Sequence, residues 1–119
     1  MAVTVMIVDD HASFRLLARR ILESEGFDVV GEAADAEEAD VLALRLRPQL
    51  VLVDIQLPGE DGLSLATRLA TGPGQPAVVL TSSRDVSDYG PRVAECGARG
   101  FIPKAELTGK AIHELLRRD

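Results

Sequence analysis

Residues 50–59 read Leu50–Val51–Leu52–Val53–Asp54–Ile55–Gln56–Leu57–Pro58–Gly59. Four apolar residues in a row predict a strand buried on both faces, and such strands belong to parallel sheets covered by helices on each side. The run stops on a carboxylate and enters a turn. A second run, Val3–Thr4–Val5–Met6–Ile7–Val8, stops on Asp9–Asp10. In an open parallel sheet, ligands gather beyond the carboxyl ends of the strands, so Asp9, Asp10 and Asp54 converge where chemistry is expected. Three acids in one place repel one another. Their convergence makes sense with a divalent cation or another cationic group among them.

Working outward, apolar runs alternate with helix-period segments five times. Phe14, Leu17, Ala18, Ile21 and Leu22 recur at helical spacing, and Gly26 ends that helix. Residues 28–33 form a short strand, polar enough to lie near an edge. Asp35 and Glu38 resemble a capping box. Ala39, Leu42, Ala43 and Leu46 mark a second helix closed by Pro48. Residues 62–70 read as helix, 72–76 as loop, 77–81 as a fourth strand and 100–102 as a short fifth. A helix near 91–96 is stopped by Gly97. The last helix starts at Thr108 and buries Ala111, Ile112, Leu115 and Leu116. Five βα units with right-handed crossovers give an α/β, doubly wound, five-stranded parallel sheet with five helices on its two faces.

Composition narrows the function classes. The chain has 119 residues, 46% hydrophobic, which fits one domain with a real core and excludes disorder. Thirteen basic against nineteen acidic residues leave a net charge of −6, so no nucleic acid is expected to bind this domain's surface. Cys96 is the one cysteine, so no internal disulfide forms. Without a basic leader before Val3, or an apolar stretch near the roughly 20 residues of a membrane helix, a soluble cytoplasmic protein is expected, with no membrane partner.

With the motifs placed, the chain resembles a receiver domain of a two-component response regulator over essentially residues 1–119. The marks are Val8–Asp9–Asp10 after strand one, Asp54 with Leu57–Pro58–Gly59–Glu60–Asp61–Gly62 behind it, Leu80–Thr81 at strand four, and Phe101–Ile102–Pro103–Lys104 at strand five. The resemblance implies a flavodoxin-like sheet of order 2-1-3-4-5. It implies that Asp54 is a phosphoacceptor attacking the phosphohistidine of a sensor histidine kinase or phosphotransfer protein. Asp10, Asp54 and the backbone carbonyl of Gln56 would bind Mg²⁺ directly, and Asp9 through water. Mg²⁺ takes few carboxylates and keeps several waters, so three acids suit it. Lys104 would pair with the phosphoryl oxygens, and Thr81 would donate its hydroxyl to them. A carboxylate is a weak nucleophile, which is why such a site must neutralise charge and position the donor. Thr81 and Phe101 would switch together, and phosphorylation would favour a homodimer. The chain would then be a signalling switch, not an enzyme with an external substrate.

Each residue also has a plainer reading. Asp10 alone would cap the helix near Ala12; Asp54 alone would be a turn residue; Thr81 a strand terminus; Lys104 a solvated lysine; Phe101 core; and His11 a surface residue. Coincidence of the marks in order reverses the first four. An alternative enzyme, a Mg²⁺-dependent phosphohydrolase of haloacid-dehalogenase type, needs its nucleophile and acid two residues apart after strand one. Here His11 fills that position. A flavodoxin-like cofactor binder lacks a Gly-rich phosphate loop after strand one.

Two departures from the family pattern stand out. Ala105 follows Lys104 where many members carry a proline with a cis bond, and Gly90–Pro91 should delay the fourth helix. Residues 84–92, with Val86 as their one aliphatic and Tyr89 as their one aromatic, are expected to be the most mobile. Tyr89 is either an exposed contact or packed on the adjacent helix. Segments 57–62 and 98–101 look like receivers attached to LuxR-type DNA-binding domains. Two alternatives stay open, a complete single-domain regulator and a receiver cut from a longer transcription factor.

Overall fold

The computed structural model describes residues 2–72 and 74–117. Pro73 of the expected 72–76 loop lies outside the described residues. The strands are β1 (Thr4–Val8), β2 (Asp28–Ala33), β3 (Leu50–Asp54), β4 (Ala77–Ser82) and β5 (Gly100–Pro103). The helices are α1 (Ala12–Ser24), α2 (Ala36–Leu46), α3 (Gly62–Thr71), α4 (Arg92–Glu95) and α5 (Gly109–Leu116). All strand pairs are parallel, in the expected order β2-β1-β3-β4-β5. From β1 the chain steps to β2 on one side and later to β3 on the other. That reversal places Asp9–Asp10 and Asp54 side by side at a switch point.

Alternation along the strands divides the core in two. Met6, Val8, Val51, Val53, Val78 and Leu80 face α2, α3 and α4. Val5, Ile7, Leu50, Leu52, Val79 and Ile102 face α1 and α5. Every residue of β3 is buried, as its unbroken apolar run demands. β2 is an edge strand and correspondingly more open.

Local signals explain the helix ends. Asp35 accepts a hydrogen bond from Glu38 N (2.8 Å), and Glu38 answers by accepting from Ala34 N (2.7 Å), one residue earlier than a capping box usually closes. Arg47, in the left-handed region at φ 47°, ends α2, so the helix stops before Pro48 can close it. Thr108 caps α5 by accepting from Ala111 N at 3.0 Å. Gly62 is required for packing: a Cβ there would lie 2.1 Å from Asp54 O, so only glycine lets α3 begin against the end of β3.

One expectation needs correction, and one element is new. Leu17 is 52% exposed although it was placed on the buried face of α1. At about 100° per residue the expected stripe is about 140° wide, with Leu17 at one edge and Leu22 at the other. The buried residues, Ala18 and Leu22, lie toward the Leu22 edge, and the opposite edge with Leu17 faces outward. The fourth helix begins late, as Pro91 requires, but makes only one turn. Before it stands an unexpected 3₁₀ turn, Val86–Tyr89. Among the described residues no helix is long and apolar enough to cross a membrane.

Candidate functional site

Asp54, the last residue of β3, is 2% exposed and is the register partner of Thr81 on β4. Its Oδ1 accepts from Gln56 N at 3.0 Å and its Oδ2 from Lys104 Nζ at 3.2 Å. Asp54 is therefore a turn residue and a site residue at once. Asp9 is fully buried. Its Oδ1 accepts from His11 N at 2.8 Å, while its Oδ2 lies 2.7 Å from Lys104 Nζ, an ion pair off the line of a hydrogen bond. Asp10, with its side chain 35% exposed, is not a helix cap: α1 starts from His11 without any side-chain cap. Asp9, Asp10, His11 and Asp54 each offer a ligand atom within 4.8 Å of the others.

The electrostatics follow from burial. Desolvation is the largest influence on Asp54 and raises its pKa, aided by the charge of Asp9 and opposed by the Gln56 amide and Lys104. Burial also pulls Lys104 down, but its close contact with Asp9 and the charges of Asp54 and Asp9 outweigh it, so its pKa ends raised. Three carboxylates against one ammonium leave two negative charges. That imbalance, with a buried carboxylate oxygen lacking a hydrogen bond, fits a divalent cation held by hard oxygen donors.

Other elements complete the site. Thr81 Oγ1 is buried and has no hydrogen-bond partner among the described residues. Lys104 sits at the start of a 3₁₀ turn (Lys104–Glu106) that runs through Ala105, and the peptide bonds of the described residues are all trans. Its ammonium lies 4.4 Å from the centroid of the Phe14 ring, over its face. Phe101, half-buried, packs against the core cluster beneath α3 and α4. Gln56 is exposed, and its side chain accepts a long 3.4 Å hydrogen bond from Ser83.

Some residues were missed or misread in the sequence. His11 is exposed as expected, yet its Nδ1 lies 3.2 Å from Asp9 and 3.1 Å from Asp10. Its position directly after two acids was the available signal. Arg15 donates to the Asp9 carbonyl at 2.6 Å and to Glu32 at 3.1 Å, bracing the end of β1 from α1. Tyr89 is half-buried against the core, and its hydroxyl lies 2.7 Å from Ser82 Oγ. A cleft of about 390 Å³ opens beside the acids, lined among others by Asp10, Gln56, Asp61, Tyr89 and Arg92. A second cavity of about 350 Å³, between α2 and α3 and lined by Pro48 and Pro76, is at the amino ends of the strands, away from this chemistry.

Comparison with known proteins agrees with this geometry. A family model described as the response regulator receiver domain matches residues 5–117. The chain is 37% identical over 102 residues to the transcriptional regulatory protein PdtaR of Mycobacterium tuberculosis, covering 84% of this chain and 48% of that protein. It is 36% identical over 115 residues to a protein-glutamate methylesterase/protein-glutamine glutaminase of Geobacter metallireducens, covering 94% of this chain and 33% of that protein. The solved structure of a LuxR-family two-component response regulator from Aurantimonas sp. superposes with a TM-score of 0.87 at 31% identity, over 99% of this chain and 88% of that one. The chain spans a third to about half the length of these two curated relatives.

Proposed function

The chain belongs to the response regulator receiver domain family, and on that premise we propose that residues 1–119 form one receiver domain that accepts a phosphoryl group on Asp54 from a sensor histidine kinase or a phosphotransfer protein. The observation that carries this reading is Asp54 itself: a buried carboxylate held between a lysine and an unpaired threonine hydroxyl, with two further acids alongside. On this reading the chain is a signalling switch whose chemistry is its own phosphorylation and dephosphorylation.

Asp54 supplies the nucleophile. An oxygen lone pair attacks phosphorus, the bond from phosphorus to the donor's histidine nitrogen breaks, and that nitrogen keeps the electron pair and takes up a proton. The Gln56 amide holds one carboxylate oxygen in place during this exchange. Lys104, already at 3.2 Å from Asp54, pairs its ammonium with the incoming phosphoryl oxygens and stays protonated. Thr81 gives its unpaired hydroxyl to the same group. Asp10, Asp54 and the Gln56 carbonyl would hold Mg²⁺, with Asp9 acting through water, and the ion when bound supplies charge neutralisation for the transferring group.

Phosphorylation then shifts a pre-existing equilibrium, with Thr81 moving toward the phosphoryl oxygens and Phe101 turning inward to fill the space it leaves. A homodimer of the phosphorylated form is the expected consequence. A relative named a transcriptional regulatory protein and a LuxR-family structural neighbour support gene control as the output. Incubation with Mg²⁺ and acetyl phosphate should add one acid-stable, base-labile phosphoryl group, read by intact-mass spectrometry. The reading is falsified if Asp54→Asn takes up the same group at another single residue.

A further inference from the structure

The segment from Arg84 to Arg92 is poor in apolar residues, yet it is tied down at two points. Past its middle, the Tyr89 hydroxyl lies 2.7 Å from Ser82 Oγ. Ser82 Oγ also accepts from Arg84 N at 3.0 Å, and Ser82 itself is fully buried in β4, so the anchor is a fixed one. At its end, Arg92 donates to Asp61 Oδ2 at 2.9 Å. Asp61 is fixed too, because its other oxygen caps α3 by accepting from Ser64 N at 2.8 Å. Between the tethers, Gly90 takes φ 62° and ψ −148°, a conformation closed to residues with a side chain. A glycine hinge therefore lies between two polar latches.

Both latches border the open cleft of about 390 Å³ beside the acids. Asp10 and the two residues that follow Asp54, Ile55 and Gln56, line it together with Tyr89, Arg92 and Asp61. We propose that Tyr89 and Arg92 are gate residues whose tethers to Ser82 and Asp61 set how fast small phosphodonors reach Asp54 and how fast water removes the phosphoryl group. This rests on Asp54 being the phosphoacceptor. Arg92 and Asp61 have side chains 57% and 44% exposed, so their pair is weak and the gate opens often. Neither gate residue touches the reacting atoms. Loosening the gate should therefore speed loading and loss alike and leave their ratio unchanged.

The full chain offers a built-in probe. Tyr89 is its one tyrosine and there is no tryptophan, so intrinsic fluorescence reports on the gate alone. Ser82→Ala, Tyr89→Phe, Arg92→Gln and the Ser82→Ala/Tyr89→Phe double variant are compared with wild type. In the unphosphorylated protein, acrylamide quenching of Tyr89 should increase in Ser82→Ala and in Arg92→Gln. Loading from acetyl phosphate and spontaneous loss should both rise about threefold in each single variant, the scale of one modest hydrogen bond. The double variant should match its two parents, because all three remove the same tether.

Unchanged quenching in both Ser82→Ala and Arg92→Gln would overturn the gate, whatever the phosphorylation kinetics. A change in only one of the two rates would overturn it in favour of a role in the chemistry. Wild-type protein that takes up no phosphoryl group would sink the phosphoacceptor reading. The quenching series would still decide whether the tethers hold Tyr89.

Discussion

Asp54 and Thr81 are register partners across β3 and β4, and the Thr81 hydroxyl, though buried, makes no hydrogen bond among the described residues. An unpaired buried hydroxyl costs about 1–3 kcal/mol. On the proposed reading, that hydroxyl finds its partner only when Asp54 carries a phosphoryl group.

Thr81→Val removes that hydroxyl at nearly constant shape. The unphosphorylated protein should gain about 1 kcal/mol of stability, measured by urea unfolding, because only an unsatisfied group is lost. Phosphate uptake should persist, while the shift around Phe101 on phosphorylation should vanish. NMR spectra of phosphorylated wild type and phosphorylated Thr81→Val that coincide around Phe101 would break the proposed coupling.

Lys104 is the ammonium partner shared by two buried acids, at 2.7 Å from Asp9 and 3.2 Å from Asp54. Lys104→Met leaves both carboxylates in a dry site without a counter-charge. The expected loss is about 3–5 kcal/mol at neutral pH, the usual cost of removing one partner from a buried pair. Since the folded-state pKa of Lys104 is raised, its contribution is full below the ordinary lysine range and fades as pH rises through the raised value. Equal urea midpoints for wild type and Lys104→Met at pH 7 would contradict this.

Asp54 has the same sign of pH dependence, lower on the pH scale. Its raised pKa means the folded chain binds that proton more tightly than the unfolded chain does, so wild-type stability falls as pH rises from the ordinary carboxylate value through the raised one. Asp54→Asn, which carries no charge there, should be the more stable protein at neutral pH and lose that advantage toward pH 4. Urea unfolding of both proteins at several pH values, without divalent metal, tests it. A constant difference across the range would refute it.

Asp10 is partly exposed and has no capping role, so it is the acid best placed to be a metal ligand without structural duty. Mg²⁺ at about 100 times its dissociation constant should stabilise wild type by about 2.7 kcal/mol. Asp10→Ala should fold normally and show no such gain. Unfolding of Asp10→Ala, or a full Mg²⁺ response from it, would restore the structural reading of this residue.

How much of this was legible beforehand depended on range. Strand ends carrying Asp9–Asp10, Asp54 and Lys104 could be read because burial on both faces and a terminal charge are local patterns. The 2-1-3-4-5 order followed from the resemblance. What escaped was set by contacts between distant segments. The ion pair from Lys104 to Asp9 joins residues at opposite ends of the chain. The outward turn of Leu17 depends on where the sheet meets α1, and His11 gains its acid contacts only once Asp9 is fixed. The 3₁₀ turn at 86–89 has weak local preference and is held by Ser82, which the hydrophobic pattern does not reveal.

Asp61 combines two duties, and substitutions can separate them. Its Oδ1 caps α3 and its Oδ2 takes Arg92. Burial raises its pKa, but the Ser64 amide and Arg92 together overcome this and leave it lowered. A lowered carboxyl contributes stability above its ordinary range and loses it as pH falls through the depressed value. Asp61→Ala removes cap and ion pair and should cost about 1 kcal/mol at pH 7. Asp61→Asn keeps a good cap and loses only an exposed pair, so its cost should be smaller. Both differences should shrink as the solution is taken to about pH 3, below the unperturbed carboxylate value. Urea midpoints for the three proteins at pH 7 and pH 3 decide the matter. If Asp61→Asn proves as costly as Asp61→Ala, Arg92 and not the cap carries the stability.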